Sequence, residues 1–139
     1  MRYLVTGGAG FIGSHLVDAL LDSGYEVVVL DNLSTGNFSN ISRHRNKKNF
    51  LFHEGDILDY SLVSSLVHSC DRVLHFAAAV GVLNILTDPI GSMKVNVLGT
   101  ENVLDACRSS KKPILIASSS EIYGKNKAQT GRGRVFQTY

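Results

Sequence analysis

A chain of 139 residues with 44% hydrophobic and 19% charged residues suits one globular domain, which excludes a disordered or fibrous protein and leaves no room for two ordinary domains. The net charge of +2 is nearly neutral, and the one basic run, "RHRNKK" (residues 43–48), has no interleaved aromatics; it reads as a solvated loop, so neither nucleic acid nor a membrane surface is expected as a partner. Cys70 and Cys107 lack metal-ligand spacing, and no run of about 20 apolar residues could span a membrane, so a reducing, cytoplasmic setting without a bound metal is expected.

In chain order, residues 3–6 form a short apolar run ended by glycines, the pattern of a buried strand. Residues 11–23 carry apolar side chains at 12, 16, 17, 20 and 21, the spacing of one helical face, and Gly24 is placed to stop that helix. "EVVVLD" (residues 26–31) is a β-branched strand closed by an acid, followed by a polar loop over 32–49. "FLFHEGD" (residues 50–56) predicts a third strand and 60–68 a short helix. "RVLHFAAAV" (residues 72–80) predicts a fourth strand running into small residues. Asp88 before Pro89 is placed to cap a helix reaching about Arg108, and residues 114–117 predict a fifth strand. Strands alternating with helices imply right-handed βαβ units and a parallel sheet.

The most specific feature is "VTGGAGFIGSHL" (residues 5–16), which satisfies both G-x-G-x-x-G and G-x-x-G-x-x-G. It follows a strand, opens a helix and is trailed by an acid ending the second strand, the context that dinucleotide binding requires. Gly7 and Gly8 permit a tight turn, and Gly10 lets backbone approach a pyrophosphate. Gly13 lets the helix pack on the sheet. The free N–H groups beginning at Phe11 and Ile12 then face the phosphates with the positive end of the helix dipole. Asp31, eighteen residues beyond Gly13, can accept hydrogen bonds from the adenosine ribose hydroxyls and would repel a 2′-phosphate, which favours NAD(H) over NADP(H). The alternative is a glycine-rich turn of structural use only, with Asp31 a solvated strand end.

These residues, together with "DNLSTGN", "GDI", "HFAAAV", "NVLGTENVL" and "SSSEIYG", resemble the extended short-chain dehydrogenase/reductase family, specifically its nucleotide-sugar epimerases, dehydratases and decarboxylases. The resemblance covers roughly residues 2–124, in the family's order. It implies an α/β fold with a Rossmann-type doubly wound parallel sheet, here about five strands without the C-terminal substrate domain. Residues 1–124 would be the NAD-binding portion and 125–139 an irregular tail. By resemblance, Asp31 and Asn32 hold the adenosine ribose, and Asp56 and Ile57 border the adenine. Ala77, Ala78 and Ala79 line the pyrophosphate and nicotinamide-ribose side, and Asn96 stands on the helix beside the cofactor, with Ser118 at its nicotinamide end. A buried loop for the alanines and a helix-surface position for Asn96 are the alternatives. A nucleotide sugar is the implied substrate, and a homo-oligomer is left open.

The family's serine or threonine four residues before its Tyr-Gly pair hydrogen-bonds the sugar 4-oxygen, which falls on Ser119. Ser120 and Glu121 take the places where the dehydratases and decarboxylases carry a hydroxyl or acid, so Glu121 tilts the implied chemistry toward further processing of a 4-keto sugar. A solvated or capping role is the alternative for Glu121. The family's base is the tyrosine of a Tyr-x-x-x-Lys helix, whose lysine lowers the tyrosine pKa. Tyr123 and Lys127 have that interval, but Tyr123 belongs to the strand-end motif and Gly124 is a poor helix former. Tyr139 is the last residue and has nothing four places on. A truncated, catalytically incomplete member of the family is therefore expected, or else a non-catalytic NAD-binding module. His15 and His75 are expected to be packed or hydrogen-bonded, and the five histidines show no metal spacing.

Overall fold

The computed structural model of the chain describes residues 1–119, apart from the side chains of residues 82–84. Five strands, β1 (Arg2–Thr6), β2 (Glu26–Asp31), β3 (Phe50–Glu54), β4 (Arg72–His75) and β5 (Ile114–Ile116), form one parallel sheet in the order β3-β2-β1-β4-β5. The chain winds outward from β1 to β3, then returns across β1 to place β4 and β5 on its other side. The strand order therefore reverses between β1 and β4, where the crevice of a doubly wound sheet opens.

The period of two explains how the sheet is covered on both faces. In register, Val5 stands between Val29 of β2 and Leu74 of β4, and Leu4 between Val28 and Val73. Leu4, Val28, Leu30 and Val73 point to one face, where they pack with Val63 and Val67 of α2 (Tyr60–His68) and Val103 and Ala106 of α5 (Thr100–Ser110). Val5, Val27 and Val29 point to the other, where Val17 and Leu20 of α1 (Phe11–Asp22) and Ile41 cover them. Most of these side chains are almost completely buried, which is why β1 and β2 read as continuous apolar runs.

Helix ends follow local chemistry. The Asp59 carboxylate accepts the Leu62 N–H at 3.0 Å at the start of α2. Gly24, in the left-handed region at φ 79°, closes α1 by giving its N–H to Leu21 O while Tyr25 N–H reaches Leu20 O.

The long helix expected from Asp88 begins as read, with Pro89 in its first turn and Asp88 accepting the Gly91 N–H at 2.9 Å. It is not one uniform α-helix. α4 (Pro89–Lys94) passes through a π-helical turn (Val95–Gly99) into α5. A Cβ on Gly99 would stand 2.5 Å from Ile57 Cδ1, so a missing side chain lets the wide turn press on the loop after β3. Other expectations are corrected, and one element was not expected. β3 ends at Glu54 and β4 at His75: the last rungs are Gly55 N–H to Asp31 O and Phe76 N–H to Thr6 O, and beyond them Ala77 N–H turns to the Thr6 hydroxyl instead of a strand carbonyl. α3 (Val82–Thr87) fills a stretch without a cap signal. The basic run is not simply solvated, since His44 is buried and Arg43 and His44 both bind the Asp18 carboxylate on α1. Burial raises the Asp18 pKa, but those hydrogen bonds outweigh it and hold the carboxyl below its ordinary value.

Candidate functional site

The carboxyl ends of β1, β2, β4 and β5 border one cleft of about 980 Å³, near the top of the roughly 300–1,000 Å³ range of ligand sites. Its floor is the glycine loop. Gly7, at φ 71°, is where backbone meets backbone: a Cβ there would lie 2.7 Å from Ala77 N. A Cβ on Gly13 would lie 2.1 Å from Gly7 O, so α1 can sit on the turn only without one. Gly10 is different. A Cβ there would approach only Gly7 O, at 3.2 Å, so its other sides open on the cleft.

Gly10 is also the residue before α1, and it offers no side-chain cap. Ser14 N–H reaches Gly10 O at 2.9 Å, while the N–H groups of Phe11, Ile12 and Gly13 belong to the turn that a helix leaves unpaired. Phe11 and Ile12 are 79% and 64% exposed and line the cleft. Twelve residues of aligned peptide dipoles thus end in uncovered donors at a backbone without side chains, a cradle for an anionic group.

Asp31 closes the adjoining wall. It is 8% exposed, and its Oδ2 accepts the Ala9 N–H while Oδ1 accepts the Leu33 N–H, each at 2.9 Å. The sequence offered a ribose ligand or a solvated strand end; the buried carboxylate is not solvated, and it fastens two loops. Each oxygen keeps capacity for a second donor, so both roles are compatible. Asn32 Nδ2 donates to Asp56 Oδ2 at 2.9 Å, and Asp56 Oδ1 accepts the Leu58 N–H. Asn32 and Ile57 line the cleft, and Asp56 stands behind Asn32 rather than on the lining. Asn102, absent from the sequence reading, donates to the Ile57 and Leu58 carbonyls at 3.0 and 3.1 Å and holds this corner from α5.

Across the cleft, Ala77, Ala78 and Ala79 form the wall after β4. Asn96 grips Ala79 both ways, accepting its N–H at 2.8 Å and donating to its carbonyl at 3.1 Å. Asn96 is thus a clamp on the loop as well as a lining residue, not a plain helix-surface position. Ser118 and Ser119 line the cleft beyond β5, and Ser120 and Glu121 lie outside the described residues. Among the described residues, no group of histidine, cysteine, aspartate and glutamate could hold a metal, and no helix is long and apolar enough to cross a membrane.

Beneath the alanine wall, His75 is buried with Nδ1 2.7 Å from Thr6 Oγ1 and Nε2 3.1 Å from Thr100 Oγ1. The packed, hydrogen-bonded histidine expected from the sequence is what the structure holds. Burial alone lowers its pKa below the ordinary 6.5. The unfolded chain takes up this proton near pH 6.5, whereas the folded chain resists it until lower pH. The stabilisation from a neutral ring is therefore complete above pH 6.5 and lost as pH falls from there through the folded-state value. In a proton-NMR titration the His75 ring is expected to titrate below pH 6.5; a midpoint at or above 6.5 would contradict the burial account.

The donors and spaces of the cleft fit a dinucleotide: uncapped amides for phosphate, a strand-end carboxylate for ribose, and a wall of small residues for close approach. Comparison with known proteins points the same way. Residues 4–132 match the family model of GDP-mannose 4,6 dehydratase. The chain is 39% identical over 124 residues to UDP-glucuronic acid decarboxylase 1 of Danio rerio, covering 88% of this chain and 28% of that protein. It is 40% identical over 125 residues to a putative UDP-glucose 4-epimerase of Methanocaldococcus jannaschii, covering 88% of this chain and 39% of that protein. The structure of DesIV, a dTDP-glucose 4,6-dehydratase from Streptomyces venezuelae solved with NAD bound, superposes with a TM-score of 0.85 at 35% identity, over 94% of this chain and 43% of that one. The chain spans well under half the length of each of these relatives. Because the family model runs through nearly all of its residues and these relatives are 35–40% identical over most of the chain, the chain belongs to the NAD-dependent epimerase/dehydratase family of short-chain dehydrogenase/reductases.

Proposed function

We propose that the cleft binds NAD(H) and that the chain supplies the cofactor-holding part of a nucleotide-sugar enzyme whose reaction begins by oxidation at sugar C4. The observation that carries this reading is the convergence, at the switch point between β1 and β4, of the uncapped start of α1, the Asp31 carboxylate and the Ala77–Ala79 wall on one cleft. In this reading the amides of Phe11, Ile12 and Gly13 bind the pyrophosphate, with the Gly10 backbone leaving room for it. Asp31 and Asn32 accept the adenosine ribose, with Asp56 orienting Asn32. Ile57 borders the adenine, and Ala77, Ala78, Ala79, Asn96 and Ser118 shape the nicotinamide side. When bound, NAD supplies a hydride acceptor for C4.

Ser119 is assigned to the sugar hydroxyl, and Ser120 and Glu121 to the later chemistry that separates dehydratases and decarboxylases from simple epimerases. The C4 hydroxyl proton needs a base, and the one Tyr-x-x-x-Lys interval in the sequence, Tyr123 and Lys127, falls on the strand-end motif and spans Gly124, a poor helix former. A module that binds NAD without turning over sugar is the second reading.

Titration of the purified 139-residue chain with NADH, followed by fluorescence and calorimetry, tests the proposal. Saturable NADH binding, weaker NADPH binding and no conversion of UDP-glucose or UDP-glucuronic acid are expected. No saturable binding would remove the cofactor role, and turnover by this chain alone would overturn the reading of the missing base.

A further inference from the structure

The loop after β4 is held from one helix at both of its ends. Asn96, in the π-helical turn, and Thr100, at the start of α5, reach Ala79 directly and Ala77 through two intermediaries. The intermediaries are His75 and Thr6. Thr6 is completely buried, and its Oγ1 accepts the Ala77 N–H at 3.3 Å. Its hydroxyl proton then needs an acceptor of its own, and among the described residues His75 Nδ1 at 2.7 Å is placed to be that acceptor. With Nδ1 accepting, Nε2 carries the ring proton and donates to Thr100 Oγ1 at 3.1 Å. The bonds then run in one direction, from the Ala77 amide to Thr6, to His75, to Thr100.

A protonated ring would break this order, because Nδ1 would become a donor facing a hydroxyl with nowhere else to place its proton. Burial, which holds the ring neutral, therefore protects the chain of bonds. The Ala77 backbone at the head of the chain presses on Gly7, the residue whose missing Cβ lets the glycine loop close. Between the two held residues, Ala78 lines the cleft, and among the described residues its N–H has no hydrogen-bond partner.

We propose that Thr100, acting through His75 and Thr6, fixes the Ala77 amide against the glycine loop and so sets how tightly the cleft holds its dinucleotide. Thr6, His75 and Thr100 are positioning residues, not catalytic ones; His75 and Thr100 also border the cleft, and the Ala77 exchange readout separates positioning from direct contact. The inference rests on the NAD(H) reading of the cleft, and Asn96 supplies the second anchor.

The test uses the 139-residue chain with Thr100→Val, which keeps the shape and removes the hydroxyl, and Thr100→Ser, which keeps the hydroxyl. Thr100→Ala serves in place of valine should the latter disturb folding, and thermal unfolding is followed for each variant. NADH affinity is expected to fall about fivefold to tenfold in Thr100→Val, the loss of roughly one hydrogen bond. Thr100→Ser should recover it to within about twofold, since its hydroxyl restores that bond. In the unaltered chain, nitrogen NMR should show the His75 ring proton on Nε2, and hydrogen exchange at the Ala77 amide should quicken in Thr100→Val and not in Thr100→Ser.

Unaltered NADH affinity in Thr100→Val, unchanged Ala77 exchange, or a proton on Nδ1 would overturn the inference. Failure of the unaltered chain to bind NADH would overturn it too. That outcome is distinguished because it removes the dinucleotide reading before any variant is compared.

Discussion

Gly13→Ala is expected to abolish measurable NADH binding and to destabilise the whole chain. The new Cβ would stand 2.1 Å from Gly7 O and 2.8 Å from Gly8 Cα, both backbone atoms that no side-chain rotation can move aside. Relief requires α1 to lift off the turn. Val17 and Leu20 leave their packing against the sheet, and the amides of its first turn swing away from the cleft. Overpacking of this kind costs about 1–3 kcal/mol, and more where backbone must shift. Gly10→Ala separates the two effects. Its Cβ approaches only Gly7 O, at 3.2 Å, and otherwise projects into the cleft, so it should fold nearly as stably while losing at least about tenfold in NADH affinity by steric block. Denaturant unfolding and NADH titration of both variants check this. A Gly13→Ala chain as stable as the unaltered one would refute the packing account.

Asp31→Asn carries the second large effect. The carboxylate gives one oxygen to the Ala9 N–H and the other to the Leu33 N–H, and Leu33 is held at φ 57° within that turn. An amide has a single acceptor oxygen, so its NH₂ group must face one of those two donors. Losing a hydrogen bond to a charged group removes about 1.5–3 kcal/mol, and facing donors add to the loss. NADH affinity is expected to fall about tenfold, because the acceptor for the ribose is halved and the loops around Ala9 loosen. NADPH should suffer less, since the repulsion of a 2′-phosphate goes with the charge. Parallel titrations with both dinucleotides read the ratio; an unchanged preference together with unchanged stability would contradict both roles.

What the sequence revealed was what local pattern controls. Val27–Leu30 and Leu4–Val5 read as strands because burial on both faces demands unbroken apolar runs, and the glycine loop announced itself because its spacing serves a turn, an approach and a packing contact within seven residues. Nearly every cofactor residue read there does line the cleft, Asp56 standing just behind it.

What stayed hidden depends on distance. "FAAAV" continues the apolar pattern of β4, so nothing local says that its backbone turns to the Thr6 hydroxyl, 71 residues earlier. The π-helical turn follows from Gly99 meeting Ile57, and the Thr6–His75–Thr100 bonds span 69 and 25 residues, beyond the reach of any periodicity. Asn102 and the Asp18–His44 pair were hidden for the same reason, because each secures a loop to a helix that only the folded chain brings near.

The central claim is that one cleft, at the point where the strand order reverses, takes the dinucleotide. Amide chemical-shift mapping of the 139-residue chain during NADH titration tests it directly. Large, saturable shifts are expected at residues 10–13, 31–32 and 77–79, with residues 43–47 on the far end of α1 unmoved. Saturable shifts confined to other surfaces, or none at these three segments, would contradict it.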